Sequence, residues 1–357
     1  MNQVFFKVLI ISLLCIVASN AQYHPPIQNY TPDVYNAGNQ NWNISRDDNN
    51  RIYVANNFGL LEFDGLRWIL HPTPDGSIMR SVFAKNNIVF TGAYMDFGYW
   101  LRNENGTLAY TSLANTVGFQ TIEDEQFWNI FSHKQYILFQ SLNRLVIYNQ
   151  QSNTLKTYTS MYGILDAFVN DDEIYFQDNN RTLFKIENEK SLVYLSAAAL
   201  NQNQVVGLVN TSSGQLIVTR ENGLFLNARN LKATQPQLSK NLAQDVVYSF
   251  TQAANGQLIL GTVKNGVYIL SESGALVHHI NVNSGLNNDT VLSVFSDNRG
   301  VWLGLDDGLA YVKLEAAIQQ YNSRREAIGT AYATIVFNQY LYVGTNQGLF
   351  YRRHNAD

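Results

Sequence analysis

One arrangement of apolar and polar positions recurs along the chain. A short apolar run leads into a polar turn that ends in glycine, and a second apolar run follows. Residues 301–312 read VWLGLDDGLAYV, 258–270 LILGTVKNGVYIL, 216–226 LIVTRENGLFL, 341–351 LYVGTNQGLFY and 52–63 IYVANNFGLLEF. Aligned on the residue that ends the turn, the copies fall at Gly59, Gly98, Arg144, Thr182, Gly223, Gly266, Gly308 and Gly348, spaced 38–46 residues apart. Apolar residues inside each copy alternate with a period of two, which is strand spacing, rather than the i, i+3, i+4 spacing of helical repeats. Repeats of this length built from strands predict an all-β chain, a β-propeller of four-stranded blades. The count predicts seven or eight blades, with seven complete repeats and a partial eighth.

The repeat after Asp289 shows the parts in order. Thr290–Asp297 is a first strand, Asn298-Arg299-Gly300 a turn, VWLGL the second strand and LAYVKL the third, with a weaker fourth strand expected near Ile318–Tyr321. Glycine at the turn supplies positive φ at no steric cost. Where Arg144 and Thr182 replace it, Asn143 and Asn180 are expected to take the left-handed conformation. In an eight-bladed ring the lead-in near Ile27–Thr31 would complete the last blade. In a seven-bladed ring the eighth repeat belongs to something further along the chain.

The first residues break the pattern. Lys7 precedes the apolar run Val8–Ala18, and Ser19-Asn20-Ala21 puts small residues before a cut at Gln22. Residues 1–21 are therefore expected to be a secretory signal peptide, 22–40 an extended lead-in and 41–357 propeller repeats. The single cysteine, Cys15, lies inside the apolar run, so the mature chain would have neither a disulfide nor a thiol nucleophile. A periplasmic or secreted location follows. Composition adds two exclusions. With 46% hydrophobic and 13% aromatic residues the chain is too rich for disorder. A net charge of −4 with no long basic run gives no reason to expect nucleic-acid binding.

Two stretches carry a resemblance. DNRGVWLGLDDGLAYV (297–312) resembles the regulator-propeller repeat of Bacteroidetes two-component sensors. Tyr35–Trp68, followed by GAYMDFGYW (Gly92–Trp100), resembles the opening of the triple-tyrosine-motif sensors of that group. The resemblance implies a periplasmic sensory region of a longer, membrane-anchored regulator. In such proteins a triple-tyrosine β-sandwich, a membrane helix and a histidine kinase or helix-turn-helix output follow the repeats. C-terminal signalling domains in a longer parent protein would be its partners, and a homodimer is compatible with it.

The candidate chemistry is non-catalytic. The histidines are scattered without metal-ligand spacing, and adjacent His278-His279 on a strand point to opposite faces. No metal or cofactor is expected. The acidic pairs Asp47-Asp48, Asp171-Asp172 and Asp306-Asp307 all fall at turns, where aspartate is ordinarily a turn former. The tryptophans Trp42, Trp68, Trp100, Trp128 and Trp302 are candidate sugar-stacking platforms; Trp302 occupies a strand position filled elsewhere by Tyr or Ile and reads as core, whereas Trp100, beside the enlarged Ala93–Gly98 turn, is a candidate for the rim. The turns between second and third strands of every blade project from one face of a propeller. That ring contributes Asn56, Asn57, Tyr94, Asp96, Arg220, Glu221, Lys264, Asp306, Asp307 and Asn346, with Trp100 beside it. Polar turns on a stiff scaffold suit an extracytoplasmic ligand rich in hydrogen-bonding groups, a glycan or a peptide. The competing expectations are a propeller glycosidase or polysaccharide lyase, and a scaffold that binds another protein.

Overall fold

The computed structural model describes residues 25–188, 190–227, 231–316 and 329–353. The expected signal peptide and the strand expected near Ile318–Tyr321 lie outside the described residues. Seven four-stranded antiparallel sheets and one three-stranded sheet account for the strands described. Blades 1 to 6 span residues 41–71, 79–112, 127–159, 164–195, 205–234 and 247–280, each an uninterrupted meander.

Blade 7 is assembled differently. Its three inner strands are Val291–Ser296, Val301–Leu305 and Leu309–Val312, and its outermost strand is Ile27–Tyr30 from the lead-in. That strand runs antiparallel to the third, in register from Ile27 opposite Val312 to Tyr30 opposite Leu309. The ring therefore closes at seven blades, and the lead-in completes the seventh blade rather than an eighth.

The closure buries aromatic surface. Tyr30 stacks on Trp302 of blade 7 at 5.8 Å and meets Trp68 of blade 1 edge-on at 5.4 Å. Phe63 stacks on Trp68 at 4.6 Å. Burial of such rings, with their pairing geometry, contributes several kcal/mol. Trp302 is core, as its strand position implies.

First strands of successive blades stand side by side around the axis and are stitched by short polar side chains. Asn43 Oδ1 accepts from the Val82 N–H, Ser81 donates to the Phe127 carbonyl, Asn129 to the Ala167 carbonyl and Ser293 to the Asn41 carbonyl. The approach is close: a Cβ on Gly304 would lie 2.1 Å from Ser293 Oγ and 2.4 Å from the Asn41 carbonyl oxygen. Second strands are buried along their whole length in blades 1, 6 and 7, and apolar clusters fill the gaps between blades.

Two details of the turns differ from expectation. In blade 4 the left-handed residue is Arg181, at φ 65°, and not Asn180. In blade 3 no residue of the turn has positive φ; Ser141 Oγ instead accepts from the Asn143 and Arg144 N–H groups. A side-chain acceptor has replaced the glycine solution.

The eighth repeat forms a three-stranded sheet of its own, Ala331–Phe337, Tyr340–Thr345 and Gly348–Arg353. Its apolar side chains face solvent: Tyr332, Leu349 and Tyr351 are 74%, 70% and 68% exposed.

Candidate functional site

Every first strand carries the same irregularity. Its register against the second strand slips by one residue at the second position, between Asn41 and Asn43, Met79 and Ser81, Phe127 and Asn129, and equivalently in blades 4 to 7. Such a bulge re-aims one side chain without breaking the sheet. The bulged residues are Trp42, Arg80, Trp128, Leu165, Val206, Tyr248 and Leu292.

Contacts show where they point. The rings of Trp42 and Trp128 lie 5.7 Å apart although all of blade 2 separates them in the ring. Arg80, from that intervening blade, places its guanidinium 4.4 Å from one ring and 4.5 Å from the other. Side chains of blades 1 and 3 can meet only over the central channel, so the three form a stack at its mouth. Each cation–π contact contributes about 0.5–2 kcal/mol, more as water is excluded. Arg80 Nε donates to Gln126 at 2.7 Å, which fixes the plane of the guanidinium. Trp42 Nε1 donates to Asn57, whose amide donates to Gln40, whose own amide donates to Asp306.

The other side of the mouth holds Asp166, Arg220 and Tyr248. Arg220 lies 5.3 Å from the centre of the Tyr248 ring. Its backbone is clamped on both sides, the N–H donating to the Gln204 carbonyl and the carbonyl accepting from the Val247 N–H. Asp166 occupies the position from which Asn129 and Ser81 stitch neighbouring blades. Its Oδ1 accepts only the Ala167 N–H, at 2.8 Å. The residue is half-buried, and protein walls in its carboxyl. Burial raises its pKa to about 7, against smaller opposing effects of the Ala167 N–H and the Arg220 charge. Burial likewise raises Tyr248 and lowers Arg80, and the charges of Arg80, Asp166 and Arg220 all act on Tyr248. Asp166 is the only acidic residue in the seven first strands.

The expected site residues distribute unevenly. Asn57, Arg220 and Asp306 take part in the mouth or its supporting hydrogen bonds. Glu221, Lys264 and Asp307 are exposed on turns of the same face. Asn56 is fully buried; its side chain bonds Gly38, Gln40, Asn41 and Phe58 and is spent on architecture. Asp96 accepts from the Phe97 N–H and the Tyr110 and Ser112 hydroxyls and anchors its own turn. Tyr94 is exposed and donates to Asp124. Trp100 is 4% exposed with its Nε1 bonded to Thr91, so it is a core residue and not a rim platform. Asn346 stands on the separate three-stranded sheet, outside the ring.

Sequence reasoning misses Arg80, Asp166 and Tyr248, and it singles out Trp42 and Trp128 only as two of five candidate platforms; these mouth residues all lie at the second or third position of a first strand. Aligning first strands instead of turns would have exposed that column, where tryptophan, arginine and aspartate interrupt small and aliphatic residues. The face is also two-sided. Blades 1 to 3 and the connection into blade 4 expose Phe58, Tyr94, Leu142, Met161 and Tyr162, whereas blades 5 to 7 expose charged turns. Among the described residues no group of three His, Cys, Asp or Glu could hold a metal ion, and no helix is long and apolar enough to cross a membrane.

No family model matches the chain, and no curated protein matches it. Solved structures do. The extracellular domain of a putative hybrid two-component system from B. thetaiotaomicron aligns over 93% of this chain and 48% of its own, with TM-score 0.69 and 16% identity. The extracellular domain of a putative one-component system from the same bacterium aligns over 95% and 48%, with TM-score 0.61 and 18% identity. Virginiamycin B lyase from Staphylococcus aureus aligns over 81% and 99%, with TM-score 0.60 and 14% identity. The β-propeller architecture is thus shared with sensor ectodomains and with a lyase. The chain spans about half the length of the two extracellular domains it matches.

Proposed function

We propose that this chain is the periplasmic, ligand-sensing propeller of a membrane-anchored signalling regulator, and that it does not catalyse a reaction. The observation that carries the reading is the channel mouth: a Trp42–Arg80–Trp128 stack facing Arg220 and Tyr248 on a stiff ring. It offers fixed donors and aromatic edges. The likeness to extracellular domains of two-component-type systems supports the sensory role. In the parent protein, occupancy of the mouth shifts signalling to the extent that the ligand binds two receptor states unequally. The solvent-facing apolar side chains of the eighth repeat support a longer protein in which that sheet is the first blade of the next repeat array.

Glycoside hydrolysis needs two carboxyl groups flanking the scissile bond, and the first strands supply one. Asp166 and Tyr248 keep a lyase as the second reading, since a carboxyl with a pKa near 7 beside a tyrosine suits proton transfer. A thermal-shift screen of glycan fragments and short peptides separates the two. Sensing predicts a melting temperature that climbs with the logarithm of ligand concentration above the Kd, with about 2.7 kcal/mol gained at a hundred times the Kd, and chemically unchanged ligand afterwards. Accumulation of an unsaturated product would establish the lyase instead. Continuation of the coding frame past Asp357 into more repeats and a membrane helix is expected, and a stop codon there would sink the receptor part of the reading.

A further inference from the structure

We infer that the channel mouth binds an organic carboxylate, held between the guanidinium groups of Arg80 and Arg220. This rests on the sensory reading and names the chemistry of its ligand. Arg80 spends its Nε on Gln126 and its faces on Trp42 and Trp128. Its terminal nitrogens find no acceptor among the described residues. Arg220 sets its guanidinium over Tyr248 and also has no side-chain acceptor there. Aromatic packing strips water from the faces of both groups and leaves the in-plane N–H edges, which match the two oxygens of a carboxylate.

The balance of charge agrees. Two cations converge on a lumen whose first strands contain a single acid, and burial keeps that acid, Asp166, largely protonated up to neutrality. A protonated Asp166 can donate to an incoming carboxylate, and an ionised one repels it. The groups that act on Asp166 are the Ala167 N–H and Arg220, and its own charge acts on Tyr248. Affinity therefore falls as pH rises through about 7. A neutral sugar would leave both guanidiniums without a charged partner.

Two sources present this group, an oligouronide and the C-terminus of a short peptide. The mouth contains Trp42 and Trp128, while Trp100 and Trp302 lie in the core and Trp68 is half-buried at the closure between blades 1 and 7, so a ligand-dependent change in intrinsic fluorescence reports occupancy. Galacturonate and glucuronate oligomers and free-acid tripeptides are titrated at millimolar concentration, each against its methyl ester or amide. One acid series is expected to give a saturable change that its neutral analogue does not, and which one responds identifies the source. Arg80→Gln and Arg220→Gln are each expected to weaken binding by about tenfold to a hundredfold. Asp166→Asn is expected to remove the fall in affinity above neutral pH. Circular dichroism checks that the variants fold. Equal binding of acids and neutral analogues, unchanged binding by the double arginine variant, or no response to either acid series overturns the inference. In the first two cases a ligand still binds and the sensory reading stands.

Discussion

Blade 7 and the eighth repeat are written in nearly the same words, VWLGLDDGLAYV against LYVGTNQGLFYR, and end in opposite environments. In blade 7, Leu303, Leu305 and Leu309 are fully buried and Trp302 nearly so. In the eighth repeat the residue equivalent to Leu309 is Leu349, 70% exposed, and its neighbour Tyr351 is 68% exposed. The three strands of the repeat pair in the same order in both; neighbours differ. Blade 7 has blade 6 on one face, blade 1 on the other and the lead-in strand along its edge. A blade is thus a unit that pairs its own backbone but cannot bury its own side chains, as repeat architectures require.

Removing what the ring supplies should hurt blade 7 most. Tyr30→Ala takes a ring out of the aromatic closure and should cost about 3–5 kcal/mol, read as a lower urea midpoint. A loss under about 1 kcal/mol would mean the closing strand is held by its backbone alone. Glu62 tests the next seam. It is buried at the junction of blades 1 and 2 with Arg102 at 2.5 Å, His71 at 3.0 Å and Arg51 at 3.6 Å. Burial alone would raise its pKa, but the His71 hydrogen bond and the Arg102 charge together hold it below the usual value. Its stabilisation is present above the unfolded carboxyl range and lost as pH falls through the lowered folded value. Glu62→Gln should therefore cost about 2–4 kcal/mol at pH 7, with the gap to the native chain closing in acid.

Asp166 has the opposite sign. Its folded pKa is raised, so the ring loses stability as pH climbs from the unfolded value of 3.8 to about 7. Asp166→Asn should gain about 1–3 kcal/mol at pH 8 and nothing near pH 3, measured by thermal melts across pH. A variant that is less stable at pH 8 would show Asp166 to be a structural stitch. The smallest effect belongs to the free sheet: Tyr351→Ser should leave the main unfolding midpoint within about 0.5 kcal/mol. A cost like that of Tyr30→Ala would mean the sheet docks on the ring.

The architecture was legible because it is written eight times, and each copy corrects the noise of the others. Trp302 could be assigned to the core from its column alone. The site was much less legible. Turns announce themselves through glycine and asparagine, and attention to them picked out Arg220, Asn57 and Asp306 but also Asn56 and Asp96, whose side chains are consumed locally. Trp42, Arg80 and Trp128 sit inside strands, where only a register slip turns them to the axis, and a slip of one residue leaves no mark in composition. Trp100 was misplaced for a related reason. An enlarged turn beside a tryptophan suggests exposure, whereas the Thr91 hydroxyl receives its N–H inside the sheet.

The lead-in strand has a consequence in time. Its partner, Leu309–Val312, is about 280 residues further on, so the contact that completes the ring is among the most non-local in the chain. At roughly 5–20 residues per second, the closing strand is made some 15–60 s before the edge it must meet. During that interval Tyr30 lacks Trp302 and its strand partner Leu309, and blade 1 has one naked flank. The half-made ring is when this protein is most open to aggregation and to capture by another copy's edge. A chaperone that holds the lead-in strand Ile27–Tyr30 would guard it better than one that holds its late partner, Leu309–Val312.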